Sequence, residues 1–201
     1  MALTQQQQRL VRRDPRLQSV FEATGPRPRF YRQPDVYLGL LASVMAQQLS
    51  GKAADTIFGR FLNLFPDRYP APDILMTLTD ETLRGAGVSR QKASYVREIA
   101  RFARTEGLAR TDLAPLPDEQ VIDRLTRIKG VGRWTAEMIL MFSLGRPDVL
   151  PVDDLGIQQA MIRLYGLRVR GPALRRRMVA IAEAWRPHRT YVCCFLWRWK
   201  A

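Results

Sequence analysis

Residues 125–160 read LTRIKGVGRWTAEMILMFSLGRPDVLPVDDLGIQQA, and the fold turns on them. The stretch opens on the apolar end of one helix, residues 118–127, passes through Lys129-Gly130-Val131-Gly132, and enters a second apolar helix, residues 133–144. Two glycines around one β-branched residue make a tight helix-to-helix turn, because glycine reaches backbone angles closed to other residues and lets a second backbone come near. The amides of the turn and of the next helix's first turn, from Gly130 through Val131, Gly132, Arg133 and Thr135, lie where intrahelical partners run out. They carry the positive end of the helix dipole outward and suit a phosphate. Further on, Pro151-Val152-Asp153-Asp154-Leu155-Gly156 sets a carboxylate pair at the mouth of a third helix, residues 153–165. On the residues alone, the glycines also suit an ordinary helical hairpin. Either aspartate could be the N-cap while the other does chemistry.

Outward from this stretch the pattern stays helical. Residues 35–49 hold Val36, Leu38, Leu40, Leu41, Val44 and Met45, a buried helix by length and periodicity. Ser50 is placed to cap the next helix, residues 51–65. Residues 67–72 read as a loop, and 79–84 start a short helix with acids in its first turn. Ser89 caps a helix over 90–104 whose Ala93, Val96, Ile99, Ala100 and Ala103 share one face. Its Arg90, Lys92, Arg97 and Arg101 read as a solvated face. Residues 172–185 and 189–199 supply the last helices. Residues 1–34 are polar and basic, with a short helix over 14–24 carrying Pro15 in its first turn, then a Gly25-Pro26-Arg27-Pro28 connector. No strand pair with turn chemistry appears, so the expected fold class is all-α.

The chain has 201 residues and 46% hydrophobic content, enough for a core in one domain or two small lobes. Lys and Arg outnumber Asp and Glu by 32 to 19, a net charge of +13 and a pI near 10.8. Nucleic acid is the first partner such a balance suggests. Cys193 and Cys194 are adjacent and sit in an apolar run, and His188 is the only histidine. A disulfide framework and a multi-histidine metal site are thereby excluded. No apolar run has the length of a membrane span, and no signal-peptide core is apparent, so a cytosolic, reducing location is expected.

The hairpin, Trp134-Thr135-Ala136, and an acid after a Pro-led loop together resemble the helix-hairpin-helix DNA glycosylases. Within them the similarity is to the alkylation-repair branch, 3-methyladenine DNA glycosylase II, over residues 35–200. SVMAQQLSGKAA (residues 43–54) and LRGAGVSRQKASYVREIA (83–100) also resemble that family. The resemblance implies two helical lobes enclosing a cleft, made from residues 35–201 with the boundary left open. Residues 1–34 form a basic segment packed on that fold.

The resemblance also implies roles. Gln48, with Leu49 beside it, matches the wedge that enters the gap left by a flipped base, offsetting part of the few kcal/mol of unstacking. Asp154 matches the catalytic carboxylate, which stabilises the positive charge of an oxocarbenium-like transition state on the sugar. Asp153 matches a neighbour that often caps the following helix. Trp134 stands where lyase-competent relatives carry a Schiff-base lysine, so water is the expected acceptor. It matches a pocket aromatic whose face attracts a cationic, alkylated base. Met138, Leu155 and His188 match further pocket positions where some relatives have aromatics, which implies a less aromatic pocket. The carbonyls of Thr126, Ile128 and Val131 match a site for a monovalent cation, Na⁺ or K⁺. An iron–sulfur cluster needs four spaced cysteines, which this chain lacks.

The expected function is therefore a monofunctional glycosylase. It would hydrolyse the N-glycosidic bond of alkylated bases, chiefly 3-methyladenine, in double-stranded DNA during base excision repair. A monomer, cytoplasmic and nucleoid-associated, is expected. The alternatives are a DNA-damage-binding protein with the same hairpin and no chemistry, or a glycosylase for another lesion.

Overall fold

In the computed structural model, which describes residues 3–25, 33–49 and 51–199, the regular elements among the described residues are all helical. The chain divides into two compact units: a terminal unit, Met1–Tyr31 with Gly145–Ala201, and a central unit, Arg32–Leu144.

In the central unit α3 (Val36–Ala46) is the axis. Asp35 caps it by accepting the Leu38 N–H at 3.0 Å. It packs against α4 (Gly51–Leu62), α7 (Arg90–Thr105) and α10 (Arg133–Ile139), which is why its sequence is apolar nearly all round. Leu40, Leu41, Val44 and Met45 are fully inaccessible to solvent. Each such side chain contributes about 1.5–3 kcal/mol of transfer free energy. Gly39 allows the closest approach: a Cβ there would lie 2.8 Å from Ser143 Oγ and 3.1 Å from Ile139 Cδ1. The second hairpin helix is regular only to Ile139, and Leu140–Leu144 wind as a π-helical turn. Two short helices were not legible in the sequence. Pro72, expected to end a loop, opens α5 (Pro72–Thr77), where a missing N–H costs nothing. The next helix is α6 (Asp80–Gly85), and α8 (Arg110–Leu113) is one turn, too short to show a period. The first hairpin helix is α9 (Asp118–Thr126).

The terminal unit begins with a helix the sequence reading missed, α1 (Gln5–Arg13). Its apolar residues are too few for a period, but a Thr4–Gln7 capping box starts it. The helix expected over 14–24 begins only at Leu17, as α2 (Leu17–Thr24). Asp14 is extended, at φ −142° and ψ 92°, and ends α1 instead. The remaining helices are α11 (Leu155–Tyr165), α12 (Gly171–Ala182) and α13 (Arg189–Arg198). Phe21 of α2 meets Phe195 of α13 edge-on, with centroids 4.9 Å apart. Asp14 is buried and accepts from Trp185 Nε1 at 2.9 Å and from the Tyr165 hydroxyl. Residues from the first helices thus belong to the same core as the C-terminal ones. The expected Ser50 cap and the Pro26–Arg27–Pro28 connector lie outside the described residues.

Candidate active site and nucleic-acid interface

The hairpin joins α9 to α10. Gly130 has φ +91°, and a Cβ on it would fall 2.3 Å from Tyr95 Cγ, so the Tyr95 ring of α7 lies directly against its backbone. Gly132 differs: at φ −92° its backbone suits any residue, and nothing stands within 4 Å of where its Cβ would be. The expectation that both glycines serve the backbone angles is corrected to Gly130 alone. Gly132 is the N-cap of α10 with no side chain capping it, and its open side leaves room for an incoming group.

The other expected phosphate contacts narrow. The Val131 N–H donates to Ile128 O at 3.0 Å, inside the turn. The Arg133 guanidinium is held by Glu119 at 2.9 and 2.6 Å and by Glu137 at 3.2 Å. That pairing holds the Glu119 carboxyl below the usual carboxylate range. Thr135 is buried, so only its backbone could serve. Of the expected cation carbonyls, Thr126 ends α9 and Ile128 and Val131 follow, where helix C-terminal carbonyls carry the negative end of the dipole. Their oxygens therefore fit a monovalent cation in kind. Among the described residues no cluster of three His, Cys, Asp or Glu could hold a metal ion.

The α3–α4 junction carries the expected wedge. α3 stops at Ala46, Gln47 leaves the helix, and Gln48 adopts φ +59°, a left-handed angle that costs a non-glycine residue about 1–2 kcal/mol. Gln48 and Leu49 are exposed, Leu49 at 38%. Gln47 points the other way: its Nε2 donates to Gly130 O at 3.1 Å. Lys92, expected on a solvated face, instead places Nζ 2.6 Å from Met45 O and 2.9 Å from Gln47 O. Its neighbour Arg97 is likewise engaged, with Asp80 at 2.7 Å and with Leu78 O. Burial pushes the Lys92 ammonium below the usual lysine range.

In the terminal unit the two aspartates separate. Asp154, not Asp153, caps α11: its Oδ1 accepts the Ile157 N–H at 2.8 Å. Asp153 pairs with Arg175 of α12 instead. This reverses the expected assignment of the cap, and one residue, Asp154, holds both the cap and the position matched to catalysis. Asp154 Oδ1 also accepts from Trp197 Nε1 of α13 at 2.8 Å. Gly156 makes room for that indole, since a Cβ there would sit 3.0 Å from Trp197 Cδ1 and 3.1 Å from Asp154 Oδ1. The turn closes on itself through Asp154 N–H to Pro151 O at 3.0 Å and Gln158 Nε2 to Val152 O at 2.7 Å. Upstream, Asp148 holds Arg189 at 2.8 Å, and Thr190 ties Val149 and Arg146 to the start of α13.

Trp134 and Met138 lie one turn apart on one face of α10, the first half-buried and the second buried. Leu155 and His188 belong to the terminal unit. Leu155 is 66% exposed, an unusual state for a leucine at a helix start. His188 precedes α13 as its N-cap, but its side chain makes no capping hydrogen bond. Trp197, Gly156, Lys92 and Gln47 are the site residues that the sequence reading did not assign. Gln47, Lys92 and Gly156 stood within quoted motifs and Trp197 did not, but the contacts that give Lys92, Gln47 and Trp197 their place are made far along the chain.

The sequence and the fold have counterparts in known proteins. Residues 41–187 match the family model of the HhH-GPD superfamily base excision DNA repair protein. DNA-3-methyladenine glycosylase 1 of Schizosaccharomyces pombe is 37% identical over 175 residues, covering 85% of this chain and 75% of that protein. Some other curated relatives are longer, and the match spans as little as 37% of the length of one of them. A solved structure of a Schizosaccharomyces pombe 3-methyladenine DNA glycosylase in complex with abasic DNA superposes with a TM-score of 0.86 at 31% identity, covering 96% of this chain and 95% of that one. The DNA-3-methyladenine glycosidase of Bacillus halodurans superposes with a TM-score of 0.81 at 37% identity, covering 96% and 88%. With a family match over most of its length, this chain belongs to the HhH-GPD superfamily of base excision DNA repair proteins.

Proposed function

We propose that this chain is a monofunctional DNA glycosylase that excises alkylated bases, chiefly 3-methyladenine, from double-stranded DNA. The observation that carries the reading is Asp154, a carboxylate held in one orientation at a helix mouth by two 2.8 Å hydrogen bonds to a single oxygen. A fixed anion of this kind stabilises the charge that grows on the sugar as the base leaves, and orients water toward the same carbon. The relatives' substrate supports the choice of lesion.

The other roles follow by the part of the DNA each group would meet. Gly132 and the first backbone turn of α10 take a phosphate, and the +13 net charge favours approach to the duplex. The carbonyls of Thr126, Ile128 and Val131 would hold a monovalent cation, adding positive charge for the same phosphate. Gln48 and Leu49 fill the hole in the stack. Trp134, one turn from Met138 on α10, would offer an indole face to a cationic base, and Leu155 and His188 are further candidates for contact with the base. A base that already carries positive charge leaves without a strong general acid. Position 134 is Trp rather than Lys, so no amine is supplied there for a covalent adduct, and the abasic strand stays intact.

The test is base release from methylated duplex DNA by wild type and Asp154→Asn. Asparagine can accept the same two hydrogen bonds through its Oδ1, so the cap survives while the charge is lost. The expected result is a fall in rate of about 100-fold or more with an unchanged melting temperature. Retained base release in Asp154→Asn would overturn the catalytic assignment. Absence of release by wild type, with DNA binding kept, would make the chain a damage-binding protein.

A further inference from the structure

The α3–α4 junction that carries Gln48 and Leu49 is held from one turn of α7. Lys92 and Tyr95 stand three residues apart on α7, hence on one face. Lys92 Nζ donates to two carbonyls at the end of α3, Met45 O at 2.6 Å and Gln47 O at 2.9 Å. Tyr95 lies against Gly130 so closely that no side chain could replace the glycine hydrogen. Gln47 then closes the loop by donating its Nε2 to Gly130 O at 3.1 Å. The Tyr95 hydroxyl is itself fixed by Gln91 Nε2 at 2.6 Å.

The physical sense of this arrangement lies in what a wedge must do. A helix ends with carbonyls that lack intrahelical partners, and Gln48 beyond them is in a left-handed conformation that the local chain disfavours. Left to itself, such a tip would relax when pressed against stacked bases. An ammonium placed on the last carbonyls satisfies them, complements the negative end of the α3 dipole, and is partly stripped of water, which strengthens the bond. The same helical turn seats the hairpin.

We propose that Lys92 is a positioning residue for base flipping: it holds the Gln48–Leu49 wedge in fixed register with the Gly130 hairpin. Docking of the hairpin on the backbone and entry of the wedge into the stack are then one rigid movement. This rests on the wedge assignment made above for Gln48 and Leu49. Lys92 touches neither base nor sugar in this role. Its effect appears only as unstacking that the enzyme must drive.

The experiment measures single-turnover release of 3-methyladenine from two duplexes, one with the lesion in a matched pair and one with it opposite a mismatch, where part of the unstacking is already done. Lys92→Met should slow release from the matched duplex about tenfold and from the mismatched duplex about twofold or less, since only the first needs a firm wedge. Lys92→Arg, which keeps donors in reach, should restore most of the matched-pair rate and serves as the second variant should Lys92→Met lower the melting temperature. Affinity for undamaged duplex should stay unchanged. Gln48→Ala is run in parallel. Equal losses on both duplexes for Lys92→Met, unrescued by Lys92→Arg, would overturn the positioning role. So would a matched-pair loss in Gln48→Ala with none in Lys92→Met. If Gln48→Ala shows no dependence on the pairing partner, the wedge assignment itself fails, and the proposal falls with it.

Discussion

The α3–α4 junction and the Asp154 turn are held in opposite ways. Pro151 to Asp154 is closed by neighbours in sequence: Asp154 N–H to Pro151 O, Ile157 N–H to Asp154 Oδ1, Gln158 Nε2 to Val152 O. Distant groups add to it, Trp197 at Asp154 and Arg175 at Asp153. The α3–α4 junction has weak local support, with 3.2–3.3 Å backbone bonds from Gln47 and Leu49 and a left-handed Gln48 between them. Its firm contacts come from residues far along the chain, Lys92 and Gly130. A carboxylate that must stabilise charge benefits from being fixed before substrate arrives. A wedge must stand proud of the surface, so its support has to come from behind.

Four substitutions break or sharpen this comparison, the largest expected effect first. Gly130→Ala attacks the distant bracing, setting a Cβ into the Tyr95 ring at a backbone angle of +91°. A loss of about 3 kcal/mol or more in unfolding free energy is expected, measured by urea denaturation. Gly132→Ala, two residues on, should stay within about 1 kcal/mol of wild type while weakening DNA binding, because its Cβ enters open space where a phosphate would come. Similar losses of stability in both would show that the turn, not the Tyr95 contact, is what matters.

Trp197→Phe tests a distant contribution to the Asp154 turn. The ring is kept and the donor to Asp154 is lost. Base release should fall about tenfold, since hydrogen bonds to charged groups contribute on the order of 1.5–3 kcal/mol. On an Asp154→Asn background the same change should do nothing further. A loss of equal size on both backgrounds would assign Trp197 to packing alone. The smallest effect belongs to Gln48→Gly. Glycine accepts φ +59° freely, so stability should rise by about 0.5 kcal/mol, net of its greater unfolded-state entropy, while excision from a matched pair falls. A drop in stability would mean that the Gln48 side chain supports the junction.

Much of this was legible in the sequence. Periodic apolar residues marked α3, α7, α9 to α11 and α13, and the Ser89 cap started α7 where expected. The all-α class followed from helical periods along the chain, and the family from the hairpin and the acidic turn. Helices without apolar periodicity were not visible: α1 is mostly glutamine and arginine, and α8 is one turn. Among site residues, Asp154 was singled out by motif; the resemblance pointed to Asp153 as the cap, while the residues alone left the cap open between the two. Two adjacent aspartates before a helix have the same propensity there, and only the path of the chain decides which points at the amides. Lys92 was read as solvated, because a lysine on a helix rich in charge is solvated unless another segment brings carbonyls to it.

The sequence by itself determined what depends on neighbours within a turn or two. That covers the helices with an apolar period, the tight turn at Gly130, the acids at the mouth of α11, and the basic balance that favours DNA. Tertiary structure alone decided which glycine leaves no room for a side chain, which aspartate caps α11, and what stands behind Gln48 and Leu49. Those answers rest on Tyr95, Trp197 and Lys92, each brought to its contact by packing of helices distant in sequence. Local propensity acts over three or four residues, whereas a hydrogen bond from Lys92 to Met45 spans 47.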